Sequence, residues 1–212
     1  MTVKYPRTFH HPTSPGVQSD DKILHDLGAF EGAEIVVTEK MDGENTSLYT
    51  DGFHARSLDT GYHPSRDWLA GFHATIAFRI PPGWRICGEN LYARHSVVYT
   101  DLPSYFLGFS AWNVANDCLS WDDTLAFFAQ IGVTPVRQVF RGRFSPTLLG
   151  ELGAALDTDR QEGLVMRLAG SFPYTAFPQS VVKWVRRGHV QSDRHWSKGP
   201  LVANELERES TG

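Results

Sequence analysis

Cysteine is scarce in this chain. Only Cys87 and Cys118 occur in 212 residues. Two thiols exclude the disulfide framework of a small secreted domain and a zinc site built on cysteines; a reducing, cytoplasmic setting is expected. Long apolar runs are lacking too, so no segment reads as a membrane span. The stretch from Met1 to Gly16 is polar, with several Pro and His, and has no apolar signal-peptide core. There is no G-x-x-x-x-G-K-S/T, no G-x-G-x-x-G after a strand and no G-x-S-x-G. These absences exclude a P-loop, a dinucleotide-binding turn and a serine nucleophile elbow. No internal repeat or low-complexity tract is present.

What remains is ordinary globular material, 41% hydrophobic and 21% charged, enough for a core that needs no cross-links. The net charge is −4, but Val181–Pro200 gathers Lys183, Arg186, Arg187, Arg194 and Lys198 against Asp193 alone. A basic segment on an otherwise acidic chain suits a phosphate-facing surface or, more plainly, a solvated face.

Residues 1–20, broken by Pro6, Pro12, Pro15 and Gly16, read as an irregular arm. Residues 21–200 read as the main domain and 201–212 as a tail. The pattern predicts a short helix over Asp20–Leu27, capped by Ser19 or Asp20, and further helices over Asp67–Phe78, Trp121–Gln130 behind Ser120, and Ser145–Leu156 with Pro146 first. Strands are expected at Glu34–Glu39, Asn45–Thr50, Phe53–Leu58, Trp84–Leu91, Tyr105–Asn113, Val133–Phe140, Gly163–Leu168 and Ser180–Val185. Strands in clusters, without regular strand–helix alternation, point to an α+β domain on antiparallel sheets rather than a doubly wound fold.

Lys40 closes the apolar run Val36-Val37-Thr38-Glu39. A lysine ending a buried strand is costly unless paired or used. Partial burial would depress its pKa and make it a nucleophile near neutral pH. Asp42 and Gly43 then turn the chain and return Glu44 and Asn45 toward the same place. Alone, the segment reads as readily as a surface lysine before a hairpin turn.

The stretch Glu39-Lys40-Met41-Asp42-Gly43-Glu44-Asn45 carries Lys-x-Asp-Gly and resembles the nucleophile motif of the covalent nucleotidyltransferase superfamily of DNA ligases, RNA ligases and mRNA capping enzymes. Asn45 resembles the ATP-dependent RNA ligase branch. Arg56-Ser57, Gly88-Glu89, Phe109, Glu162-Gly163-Leu164-Val165 and Val182-Lys183-Trp184 resemble the later motifs in family order, over residues 34 to 187. The resemblance implies an antiparallel-sheet nucleotidyltransferase (ligase adenylation) domain with flanking helices; no OB-fold domain is expected, since the segments on either side of it are too short for one. It implies ATP and Mg²⁺ or Mn²⁺ as cofactors, with Lys40 as the AMP-accepting nucleophile and Lys183 and Glu162 as its catalytic partners. Glu39, Asn45, Arg56, Glu89, Phe109 and Lys183 would hold the nucleotide. Glu162, Glu89 and Asn45 would hold the metal, through water where needed.

The implied activity is ligation of a nucleic acid 5′-phosphate to a 3′-hydroxyl, with RNA as the expected polymer. Arg186, Arg187 and Arg194 would supply phosphate contacts, or a partner protein the grip. Many relatives carry a second lysine in the last motif, where Val185 stands here; strand alternation would put Arg187 on the side of Lys183 and Arg186 opposite. The stretch His189–Trp196 resembles a signature of small stand-alone ligases. His10-His11 reads as part of a flexible arm. Two other readings stay open: a GTP-using guanylyltransferase of the capping type, and a non-catalytic nucleotide-binding regulatory module.

Overall fold

The computed structural model describes residues 2–58, 61–188 and 201–208. Arg194, Lys198 and the His189–Trp196 signature lie outside the described residues. The strands are β1 (Phe9–His10), β2 (Glu34–Lys40), β3 (Glu44–Tyr49), β4 (Gly52–Ala55), β5 (Arg85–Asn90), β6 (Phe106–Trp112), β7 (Asp117–Cys118), β8 (Thr134–Pro135), β9 (Gln138–Arg143), β10 (Gly163–Leu168), β11 (Phe172–Pro173) and β12 (Val181–Val185). The helices are α1 (Asp67–Ile76), α2 (Trp121–Ile131), α3 (Leu148–Ala154) and α4 (Phe177–Ser180).

One sheet runs β1-β12-β10-β2-β9 and the other β11-β7-β6-β5-β3-β4, with β8 beside β6. Pairing is antiparallel except β1 with β12 and β8 with β6. The α+β class on antiparallel sheets is therefore the observed one. No helix among the described residues is long and apolar enough to cross a membrane.

β2 forms because Ile35, Val36, Val37 and Thr38 are β-branched and suit a pleated, buried strand. It is central, with β10 on one side and β9 on the other. The two-residue alternation sends Ile35 and Val37 to an outer core with Leu164, Met166 and Val182, covered by Leu149 of α3. The opposite face sends Val36, Thr38 and Lys40 toward the second sheet. That sheet packs Leu48, Ile86 and Phe106 outward against α1 and α2. Between the sheets, Cys87 and Trp112 meet Phe177 and Val181. Each fully buried side chain of this size contributes roughly 1.5–3 kcal/mol. A cleft opens where the inner faces part.

Several sequence expectations change. No helix spans Asp20–Leu27: Ile23 bridges His10 and the Leu24 N–H donates to His10 O at 2.8 Å, so the arm takes hydrogen-bonding groups a helix would use. The arm itself is ordered enough to form β1. The strand expected over Val133–Phe140 is two strands, because β8 joins β6 in one sheet and β9 joins β2 in the other. α3 is shorter than the expected Ser145–Leu156. α2 starts as expected, with Ser120 Oγ accepting from Asp123 N–H at 3.1 Å.

Candidate active site

Antiparallel pairing puts Gly163, the first residue of β10, opposite Lys40, the last of β2. Glu162, one residue earlier, thereby meets the lysine: Lys40 Nζ donates to Glu162 Oε2 at 2.6 Å. Gly163 lets β10 lie close against β12, since a Cβ there would lie 2.1 Å from Trp184 O. Lys183 stands opposite Val165, which stands opposite Thr38. The two lysines therefore share one face of one sheet.

The second sheet supplies the other wall. Asn45 is in register with Glu89, and Glu89 with Leu107. Phe109 projects from β6. Lys40, Lys183, Asn45, Arg56, Glu89 and Phe109 all line one cavity of about 490 Å³. Glu39 also reaches it, with its carboxylate 2.9 Å from Arg137 Nε. Arg56 is exposed, and its backbone N–H donates to Asn45 O at 2.8 Å. A second cavity, of about 610 Å³, lies beyond Glu39 and Met41 but is lined by neither lysine.

Charge in the cleft is unusually concentrated. Burial acts to lower the pKa of Lys40, but the carboxylates of Glu162, Glu89 and Asp42 outweigh it and the net direction is upward. This corrects the sequence expectation of a depressed pKa, because the strand ends on a carboxylate partner rather than in an apolar pocket. Burial pushes Glu89 up to about 8, against the pull of Lys40, and the nearby Glu162 and Asp42 add to the rise. Burial likewise raises Glu162. Lys183 goes the other way: burial lowers it, with Asp21 opposing.

The turn after Lys40 is pinned by residues the sequence pattern did not single out. Asp42 Oδ2 accepts from Ser96 N–H at 2.7 Å, Ser96 Oγ–H at 2.6 Å and Val97 N–H at 2.7 Å. The Asp42 N–H donates to Tyr99 Oη at 2.9 Å. Asp42 is thus a tie to the 96–99 loop as well as a turn former. At Gly43 a Cβ would lie 2.5 Å from Asn90 O, so only glycine lets the turn pass.

The family model for RNA ligase matches residues 33–185. The chain belongs to the RNA ligase family. Its fold resembles an archaeal ATP-dependent RNA ligase at TM-score 0.63 and 19% identity, over 87% of this chain and 48% of that one. A Naegleria gruberi RNA ligase mutant with ATP and Mn matches at TM-score 0.53 and 13% identity, over 76% and 52%. A putative ATP-dependent DNA ligase from Aquifex aeolicus matches at 0.52 and 17%, over 87% and 50%. This RNA ligase family chain spans about half the length of those structures. No curated protein matches its sequence.

Against that family, the three arginines expected to face nucleic acid separate. Arg186 is buried, and its N–H donates to Glu162 O at 3.1 Å. Arg187 is exposed. Arg194 lies outside the described residues. Neither Arg186 nor Arg187 lines the cavity with Lys183. The sequence also gave no sign that Tyr5, Arg7 and Asp21 of the arm region would line it. Their placement depends on a pairing with β12 some 170 residues away, as in the Val185–Ser14 bond.

Proposed function

We propose that this protein is an ATP-dependent polynucleotide ligase, acting on RNA, that forms a covalent lysyl–AMP on Lys40. The observation that carries the reading is the convergence of Lys40 and Lys183 on one cavity faced by Phe109 and Glu89, with Glu162 held against Lys40. Family membership supports it.

In the first step the Lys40 Nζ lone pair forms a bond to the α-phosphorus of ATP. The bond from that phosphorus to the bridging oxygen breaks, and pyrophosphate leaves with the electron pair. In the second step a 5′-phosphate oxygen attacks the same phosphorus, and the lysine is released. In the third a 3′-hydroxyl attacks the activated 5′-phosphate and AMP departs. Such chemistry is mostly positioning and charge stabilisation. Lys183, less costly to bring near an anion than to leave buried alone, neutralises charge on the α-phosphate. Glu89 accepts from ribose hydroxyls. Phe109 and Val165, from opposite sheets, clasp the base. Arg56 reaches the sugar or phosphates from the rim, and the main chain beside Glu39 meets the purine edge.

Lys40 must lose its extra proton before attack, and the 2.6 Å contact makes Glu162 the group that holds it. Among the described residues no group of three or more His, Cys, Asp or Glu is placed to hold a metal ion. The donors present are nonetheless the right kind for a hard cation that keeps most of its water. Glu162 and Glu89 offer carboxylates, and the Asn45 Oδ1 is buried with no hydrogen-bond partner. Mg²⁺ or Mn²⁺ there would offset the negative charge of the phosphates. Nucleic acid phosphates would meet Arg187 and the basic stretch beyond it, with or without a partner protein, in a cytoplasmic setting.

Incubation of the purified protein with [α-³²P]ATP or [α-³²P]GTP and divalent metal, followed by a denaturing gel, tests the reading. Label from ATP alone is expected. Label from GTP alone would move the chemistry to the capping type, and no label from either would leave a nucleotide-binding module.

A further inference from the structure

The arm before β2 is built into the nucleotide cavity. β1 lies parallel to β12, with Phe9 opposite Val182 and His10 opposite Lys183. The His11 N–H donates to Lys183 O at 2.7 Å and the Gly16 N–H to Val185 O at 2.9 Å. The Ser14 hydroxyl accepts from Val185 N–H at 2.9 Å. Gly16 sits so close that a Cβ would lie 2.3 Å from Arg186 O. The arm is therefore fixed to the strand that carries Lys183.

This anchoring brings one carboxylate among three basic groups. Asp21 Oδ1 lies 3.3 Å from Arg7 Nη2 and 3.6 Å from Lys183 Nζ, and Oδ2 lies 3.0 Å from His10 Nε2. Arg7 also donates to the Asp20 carbonyl at 2.7 Å and lies 3.3 Å from its carboxylate. Arg7, Asp20 and Asp21 line the same cavity as Lys40. A carboxylate gripped by convergent cations beside a phosphate-binding lysine has the chemical place of a phosphate oxygen.

We propose that Arg7 binds the β- and γ-phosphates of the nucleotide, and that Asp21 is an internal anion which holds Arg7 and Lys183 until those phosphates displace it. This rests on the nucleotide reading of the cavity. The leaving pyrophosphate carries several negative charges, and the end of β12 offers it little: Val185 and Arg186 are buried and Arg187 does not line the cavity. Arg7 lines the same cavity. Its side chain is 39% exposed and that of Asp20 78%, so their ion pair is weak. A planar guanidinium also suits two phosphate oxygens at once. Asp21, left in place, would repel any phosphate that approached Lys183.

The two side chains therefore predict opposite effects, which loss of structure would not produce. Binding of ATP, AMP and inorganic pyrophosphate is measured by calorimetry on wild type, Arg7→Ala, Arg7→Lys and Asp21→Asn, each checked for an unchanged melting curve. Arg7→Ala is expected to weaken ATP and pyrophosphate about tenfold or more while leaving AMP nearly unchanged, since one charge-assisted contact is lost. Arg7→Lys recovers part of the loss. Asp21→Asn is expected to bind ATP severalfold more tightly than wild type. Equal ATP binding by wild type, Arg7→Ala and Asp21→Asn would overturn the proposal and leave the nucleotide reading standing. Weaker binding by Asp21→Asn would overturn it too, making the carboxylate a ligand or a structural tie. No ATP binding by wild type would overturn the nucleotide reading, and the proposal with it.

Discussion

Lys40 and Glu162, 122 residues apart in sequence, meet at 2.6 Å because β10 begins where β2 ends. The pair is buried on the Glu162 side, 7% exposed against 24% for the lysine. The Glu162 carboxylate favours the protonated form of Lys40. Activation then depends on whatever draws the Glu162 carboxylate away or neutralises it. Replacing Glu162 by Gln is expected to lower the Lys40 pKa and shift the pH–rate profile of adduct formation to lower pH, even if the rate itself falls. An unshifted profile would show that the pair does not set the protonation of Lys40.

Lys183 shares the sheet face of Lys40 at the level of Val165. Lys183→Ala is expected to slow adduct formation by about 100-fold or more, the usual effect of removing one preorganised charge-stabilising donor. Single-turnover labelling gives the rate. A loss below tenfold would contradict the role assigned to this lysine.

Tyr99 acts through Asp42. Its hydroxyl accepts the Asp42 N–H at 2.9 Å, and Tyr99→Phe leaves that part-buried donor unpaired, at a cost of about 1–3 kcal/mol. The expected result is a lower melting temperature and slower adduct formation with ATP affinity nearly unchanged, since neither Tyr99 nor Asp42 lines the Lys40 cavity. Unchanged kinetics would make the tie purely structural.

His11 gives the fold a pH dependence. It is buried, and burial lowers its pKa from the usual 6.5. The Thr13 N–H donates to its Nδ1 at 3.3 Å, which requires the neutral ring. The unfolded chain therefore takes up the proton first. This contribution to stability is present above the unfolded value and is lost as the pH falls below it toward the lowered folded value. Denaturation at pH 7.5 and 5.5 should show wild type losing more stability than His11→Gln; equal losses would contradict the assignment.

Much of this site was legible in the sequence. β2 and β12 are β-branched runs and β10 an apolar one, and each ends or begins on a residue that lines the cavity or pairs with Lys40. The spacing of Lys40, Arg56, Glu89, Phe109, Glu162 and Lys183 therefore carried both strand ends and motifs. What was not legible depends on distant pairing. The segment from Val133 to Phe140 changes sheet at Val136, whose N–H donates to Gly108 O, and no local pattern marks such a switch. The Asp20–Leu27 stretch has helical composition, but His10 takes its hydrogen bonds. The upward shift of Lys40 was invisible because it needs Glu162 beside it. Asn204, in what read as a tail, is buried and accepts the Tyr99 N–H at 3.0 Å, a contact with no signature in sequence.

The central claim is that Lys40 itself carries AMP. The most direct test is intact-mass and peptide mass spectrometry after incubation with ATP and Mg²⁺, on wild type and Lys40→Ala. One AMP mapped to Lys40 in wild type, and none anywhere in the variant, is the predicted result. AMP on another residue, or an adduct that survives Lys40→Ala, would contradict the account.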